Sequence, residues 1–320
     1  MASLKNIKLK ILSYKKTGTV THAMEAVSAV KMRKGQERAL SGRSYAAAAL
    51  TVLERLSGTA DIARHPLMQD RSAIGGDSGK HSNLRVQIVN PAYFIIITSD
   101  KGLAGALNSG VIRAVEKEIA RLNLKKENIE IFAFGRRGAE YFRSREYKII
   151  DSHTNVSDNI SESEVSDVTK KIIERVGNTG RVFVGYQNFI STFEQHPTVR
   201  QIVPISPELM REVVAGIRPA RGRYAPASAE VAQKPAAYTI EPDADSVLSV
   251  LLPKLLNIAV FHALLEAKAS EHSARMVAMK SATDKAKEMA GNLTRTFNKV
   301  RQAAITREVS EITSGIEAMR

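Results

Sequence analysis

The 320-residue chain has no cysteine and no tryptophan, and aromatic residues make up only 5% of it. The missing cysteine excludes disulfides, thiolate metal sites and thiol redox switching. So few aromatics suit helix–helix seams filled by Ala, Leu, Met and Val better than a large mixed core. Proline is absent from the first 57 residues and occurs once, as Pro253, in the last 75. No acidic residue precedes Glu25. That resembles an organellar transit peptide, but no small-residue cleavage context is present and helical periodicity runs through the segment unbroken. Long hydrophobic runs are missing too. The longest, at 94–97 and Leu251-Leu252, fall far short of the roughly 20 apolar residues that cross a bilayer. The expectation is a soluble or peripheral protein.

What the chain does have is positive charge, and it is unevenly placed. Residues 1–57 hold eleven Lys/Arg against three acids, and residues 246–320 hold eleven against seven. The two ends thus carry most of the net charge of +14, and the middle is nearly neutral. Basic helical ends imply an acidic partner, nucleic acid or an anionic membrane surface. The plainer alternative is a solvated lysine-rich helix face.

Both ends carry apolar residues at helical spacing. Leu4, Ile7, Ile11 and Tyr14 follow a 3-4-3 rhythm, and Val20, Met24, Val27 and Val30 resume it after a shift. The spacing predicts a helix from the N-cap Ser3 to about Leu56. Gly18, Gly35 and Gly42 weaken that helix by about 1 kcal/mol each relative to alanine, so a closely packed neighbour is expected there. The last helix opens at Asp245 or Ser246. Its seam reads Met279, Ala282, Ala286, Met289, Leu293, Phe297 and Val300, continuing through Ile305, Val309, Ile312, Ile316 and Met319.

At about 1.5 Å per residue the two helices run roughly 85 and 110 Å, too long for a domain of radius about 14 Å to cover. They are expected to pair with each other, antiparallel. Between them, strand signals at 94–98, 129–134, 181–187 and 199–203 alternate with helical signals at 111–122, 138–143 and 165–176. Such alternation implies a small, mainly parallel α/β sheet. The predicted fold is therefore a long antiparallel coiled coil of N- and C-terminal helices with a small central Rossmann-like α/β domain. Its parts are a helix over 1–57, a loop over 58–90 and the α/β domain over 91–215. A Pro/Ala-rich insertion or linker over 216–245 and a helix over 246–320 complete it.

Catalytic motifs fail on inspection. Gly75-Gly76-Asp77-Ser78-Gly79-Lys80 resembles a phosphate loop, but Ile74 occupies the first glycine position and His81 follows the lysine. Gly102 and Gly105 after the first strand lack the third glycine of a dinucleotide turn. None of the seven histidines pairs with another at metal-ligand spacing. The expectation is a non-catalytic protein with no catalytic residue, no cofactor and no metal.

Four segments carry a family resemblance. Ala23-Met24-Glu25-Ala26-Val27-Ser28-Ala29-Val30-Lys31-Met32-Arg33-Lys34 resembles the N-terminal signature of the gamma subunit of the rotary (F-type) ATP synthase. Ser270-Glu271-His272-Ser273-Ala274-Arg275-Met276-Val277-Ala278-Met279-Lys280 and Arg301-Gln302-Ala303-Ala304-Ile305-Thr306-Arg307-Glu308 are similar to that family's two most specific segments. The central Ile97-Thr98-Ser99-Asp100-Lys101-Gly102-Leu103-Ala104-Gly105 resembles its first strand and turn. Residues 58–85 and 216–245 are longer than the family usually needs.

The resemblance implies a central-stalk rotor, one copy per complex, that passes rotation between a membrane ring of c subunits and a catalytic hexamer of alpha and beta subunits. It implies contact with the epsilon subunit and a peripheral place on the cytoplasmic face of the bacterial inner membrane. It also implies partner-binding roles for Arg275, Arg301, Gln302, Thr306 and Glu311, which match positions that meet beta-subunit loops, and for Met24, which matches a position facing an acidic segment of beta. No nucleic acid is implied. The alternative is a basic coiled-coil nucleic-acid-binding or scaffolding protein, which the apolar seam and the scarcity of stacking aromatics oppose.

Overall fold

The computed structural model describes residues 4–41, 43–56, 65–68, 91–176, 180–206, 208, 211, 241 and 243–319. Gly42, the near phosphate loop at 75–80 and most of the 58–90 and 216–245 segments lie outside them. The chain divides into two compact units, one of Met1–Ala29 with Arg275–Arg320 and one of Val30–Ala274. Two helices contribute to both units: α1, Leu4–Ser41, and the last helix, Ala244–Glu317.

The larger unit is built on a five-stranded sheet. Its elements are α2 (Arg43–Leu56), β1 (Ala92–Ile97), α3 (Leu107–Arg121), β2 (Ile129–Phe134), α4 (Arg136–Ser144), β3 (Lys148–His153), α5 (Glu162–Val176), β4 (Arg181–Phe189) and β5 (Gln195–Val203). The last helix is α6. The strands lie in the order β3-β2-β1-β4-β5. The first four are parallel, and β5 returns antiparallel to β4.

Parallel strands covered on both faces need unbroken apolar runs, and β1, all of whose residues are buried, has one. Tyr93, Ile95 and Ile97 turn to one face with Phe132, Val184 and Tyr186, where α2, α5 and the first half of α6 pack. Phe94 and Ile96 turn to the other with Ile131 and Phe183, under α3 and α4. Phe94 stacks on Phe183 across the strand pair, with ring centroids 5.0 Å apart. The strands at 94–98, 129–134 and 181–187 and the edge strand at 199–203 stand where their sequence signals place them. β3 was not legible: its residues are half-buried or exposed, as befits an edge strand that shows no alternation.

Asp243 caps α6, its two carboxylate oxygens accepting from the Ser246 amide and hydroxyl at 2.8 Å each. The helix therefore starts at Ala244, one or two residues before the predicted opening. It holds a stretch apolar enough by composition to cross a bilayer, contrary to the reading from unbroken runs alone. More than half of that stretch is buried inside the protein, with Leu252, Leu256, Val260 and Leu264 in the sheet unit's core.

Polar bonds fasten α6 to its neighbours in this unit. Asn257 accepts from the Thr169 hydroxyl at 2.9 Å, and the Ser270 and Ser273 hydroxyls donate to the carbonyls of Gln187 and Thr192 at 3.0 and 2.6 Å. Gly35 of α1 packs on Ala269, a Cβ at the glycine meeting it at 3.5 Å. Asp158, in the loop after β3, receives Lys31 of α1 at 2.8 Å and His272 of α6 at 2.9 Å, and its carbonyl accepts from Arg38 at 2.5 Å.

Burial acts to raise the Asp158 pKa, but the hydrogen bonds and charges of Lys31 and His272 outweigh it and hold the carboxyl at about 2, below its usual 3.8. A depressed carboxyl contributes stability that is present above the unfolded value and lost as pH falls through the folded one. Asp158→Asn is therefore expected to lower the thermal midpoint at pH 7 and to converge on the parent between pH 4 and 2. With the side chain 36% exposed, screening trims the effect at pH 7 to about 1 kcal/mol, or about 2–4 °C. Melts at pH 7, 4 and 2.5 check it. A constant gap at all three would mean that the loss is one of packing.

In the smaller unit α1 and α6 pair antiparallel. A Cβ at Gly18 meets the Ala286 methyl at 3.6 Å, and three residues on, Thr21 meets Thr283 three residues back, hydroxyl to hydroxyl at 2.7 Å. The α1 seam follows Ile7, Ile11, Tyr14, Gly18, Thr21 and Ser28, which are buried or half-buried. On α6 it follows Met279, Thr283, Ala286 and Ala290, all buried, and then half-buried Leu293, Phe297 and Val300. These are the 3-4 intervals of a coiled coil.

The predicted pairing is present, but the predicted stripe is displaced. Val20 and Val27 are 58% and 55% exposed, and Met289 is exposed while Ala290 is buried. Close approach of the backbones selects the small residues. Thr21 is tolerated in the seam because its hydroxyl also bonds the Thr17 and Gly18 carbonyls at 3.0 and 3.2 Å.

Candidate partner-contact site

All six residues that the sequence singles out for partner contact fall in the smaller unit. Met24 is half-buried on α1, its carbonyl accepting from the Ser28 hydroxyl at 2.7 Å. Arg275 is 8% exposed, so it is built into the folded chain and is not the solvated helix cation that spacing alone suggests. Arg301, Gln302, Thr306 and Glu311 are all exposed. The Thr306 carbonyl takes the Ser310 hydroxyl at 2.9 Å, and Glu311 accepts from Arg307 at 2.9 Å, a surface pair one helical turn apart. Gln302 and Thr306 share a helix face one turn apart. Met24 and Arg275 belong to other surfaces, so the six do not form one cluster.

The register explains this exposure. Carried to the start of α1, it brings Leu4 level with Val300, beyond which α6 has no α1 beside it. Every described residue from 301 to 319 is exposed. Ile305, Val309, Ile312 and Ile316 recur at 4-3-4 intervals, one helix stripe, and each is between 52% and 60% exposed. A helix of this length is marginal in water on its own. Its apolar stripe offers contact area without directional hydrogen bonds, and Arg301, Gln302 and Thr306 offer the directional ones. A groove lined by Tyr14, Lys15, His22, Lys287 and Gly291 opens between the paired helices. Sequence reasoning did not single it out, although Gly18, Ala286, Ala290 and Gly291 at seam spacing were the available signal.

Among the described residues no His, Cys, Asp or Glu cluster could hold a metal ion.

Comparison with known proteins gives the family. The ATP synthase family model matches residues 3–319. The chain is 36% identical over 322 residues to an ATP synthase gamma chain of Geobacter metallireducens, covering 100% of both chains. It is 34% identical to an ATP synthase gamma chain of Roseiflexus sp., covering 100% of this chain and 99% of that one. The fold is similar to a chain of the Euglena gracilis mitochondrial ATP synthase structure (OSCP/F1/c-ring, rotational state 3), with a TM-score of 0.63 at 15% identity over 99% of this chain and 94% of the other. The chain belongs to the ATP synthase gamma chain family.

Proposed function

We propose that the chain is the central-stalk rotor of a proton-translocating ATP synthase, non-catalytic itself, with one copy per complex. Its helices turn inside the hexamer of alpha and beta subunits, while the sheet unit meets the epsilon subunit and the membrane ring of c subunits. The complex is bacterial and holds the chain peripherally, on the cytoplasmic face of the inner membrane. The observation that carries the reading is the α6 segment beyond Val300. It is helical, wholly exposed and striped with apolar residues, which suits a sleeve supplied by other chains. Stripe residues such as Ile312 and Ile316 slide past a sleeve because no directional bond has to break. Arg275, Arg301, Gln302, Thr306 and Glu311 make breakable polar contacts with beta.

Met24→Lys tests the reading. The half-buried methionine leaves room for a lysine ammonium to reach an acidic partner segment, adding a charge-assisted contact of about 1 kcal/mol or more. One rotor position is then favoured over the others, slowing escape from it about fivefold. In membrane vesicles, proton pumping per ATP hydrolysed is expected to fall while hydrolysis itself changes less. An unchanged ratio would mean that Met24 does not face an acidic segment.

A further inference from the structure

The rotor reading leaves unused a pair of titratable groups inside the sheet unit. His262 and Glu266 sit one turn apart on α6, Nδ1 to Oε1 at 3.4 Å, and are only 7% and 5% exposed. The hydroxyl of buried Tyr186, on β4, reaches the Glu266 carboxyl. Arg200, on β5, lies over the Tyr186 ring, 5.7 Å from its centroid. From α1 the Ala39 carbonyl reaches His262. Tyr186 and Arg200 are the titratable and charged groups that face the pair from the packed elements.

Glu266 Oε2 and His262 Nε2 have no hydrogen-bond partner. An ionised carboxylate with an orphaned oxygen in such a place is costly, and so is an imidazolium with an orphaned N–H. Both costs fall if the two groups are neutral together, since only neutral polar atoms are then left without partners.

We propose that His262 and Glu266 form a buried proton-binding site in the grip of α6 on β4, holding one proton on the carboxyl at neutral pH and releasing it, with a weaker grip, in alkaline solution. Burial is the main cause on both sides. It lifts Glu266 to about 8 against the opposing effects of Arg200 and Tyr186, and it lowers His262 to about 4 against the Ala39 hydrogen bond, with Arg200 assisting.

The linkage has a distinctive form. Between the unfolded values of 4.5 for Glu and 6.5 for His, the folded pair keeps its proton on Glu266 and the unfolded pair keeps one on His262. Proton counts match, so this pair adds no pH dependence there. From pH 6.5 to 8 only the folded state still holds the proton, and stability falls with rising pH. Between pH 4.5 and about 4 the unfolded pair holds two protons and the folded pair one, so stability falls with acid there.

Infrared spectroscopy and urea unfolding of the full chain test the site. A protonated-carboxyl C=O band is expected at pH 7, fading as pH rises through about 8 and absent from Glu266→Gln. The unfolding constant of the parent is expected to rise about 15-fold from pH 6.5 to 8, relative to that of Glu266→Gln. Absence of the band from the unmodified chain at pH 7 would overturn the proposal whether or not the variant folds. An equal alkaline rise in Glu266→Gln would overturn it as well.

Discussion

Gly135→Ala is expected to abolish folding of the sheet unit. Gly135 follows β2 and opens α4 with φ at +94° and ψ at 141°, a conformation close to one that glycine alone adopts freely and that costs other residues about 1–3 kcal/mol. Steric overlap costs more. A Cβ there would lie 2.0 Å from the Thr98 carbonyl oxygen and 2.6 Å from its carbon, and both are backbone atoms that no rotamer change can move.

The backbones cannot part at that point without breaking the sheet. The Thr98 amide donates to the Phe134 carbonyl at 2.8 Å, and the Gly135 amide donates to the His153 carbonyl at 2.8 Å. The Thr98 hydroxyl in turn accepts from the Gly138 amide at 2.8 Å. Separating the ends of β1 and β2 breaks the two bonds of Thr98, and the bond to His153 on β3 keeps Gly135 from moving away. A loss above about 4–5 kcal/mol is expected, a large part of a domain's usual stability of about 5–15 kcal/mol.

Gly105→Ala is the control. Its φ is also positive, at +60°, but a Cβ there meets nothing within 4 Å, so the expected cost is strain alone, about 1–2 kcal/mol. Thermal melts of the two full-length variants separate strain from overlap. Gly135→Ala melting within a few degrees of Gly105→Ala would show that the close approach is not rigid.

The second large effect is on assembly. A chain ending at Ala304 loses Ile305, Val309, Ile312, Ile316 and Met319, all 52% exposed or more. Inside a sleeve each would gain at most about 1.5–3 kcal/mol from burial, less where the fit is loose. Nothing in the α1–α6 pairing is removed, because the last buried seam residue is Ala290 and the half-buried ones end at Val300. The truncated chain is therefore expected to fold as before, to assemble with lower yield and thermal stability, and still to support measurable ATP hydrolysis through Arg275, Arg301 and Gln302. Rotation of a bead fixed to the sheet unit decides the case. An assembled complex that never turns would make the lost segment part of the drive, and its role as a bearing would have to be abandoned.

The residues proposed for partner contact were singled out in the sequence because all but Glu311 sit in segments that resemble the family's, and spacing alone would have left each as a solvated helix residue. Exposure of Arg301, Gln302, Thr306 and Glu311 and burial of Arg275 came only from the structure, since the reach of α1 along α6 depends on register. The His262–Glu266 pair was invisible for a similar reason: a histidine and a glutamate one helical turn apart are commonplace on surfaces, and only the sheet packed over them removes water.

By itself the sequence determined the elements. The apolar run of β2 and the β-branched run of β1 read as strands, and the proline-poor ends, apolar at helical spacing, read as helices. It also determined that those ends must pair, because helices of roughly 85 and 110 Å are too long for a small domain to cover. It did not determine β3, whose polar edge shows no period. Nor did it determine which stripe forms the seam, because Val20 and Val27 recur at helical spacing as well as Gly18 and Thr21 do. Periodicity names every stripe that could be buried, and the tertiary structure chose the one where small side chains bring two backbones close and each buried hydroxyl finds a partner.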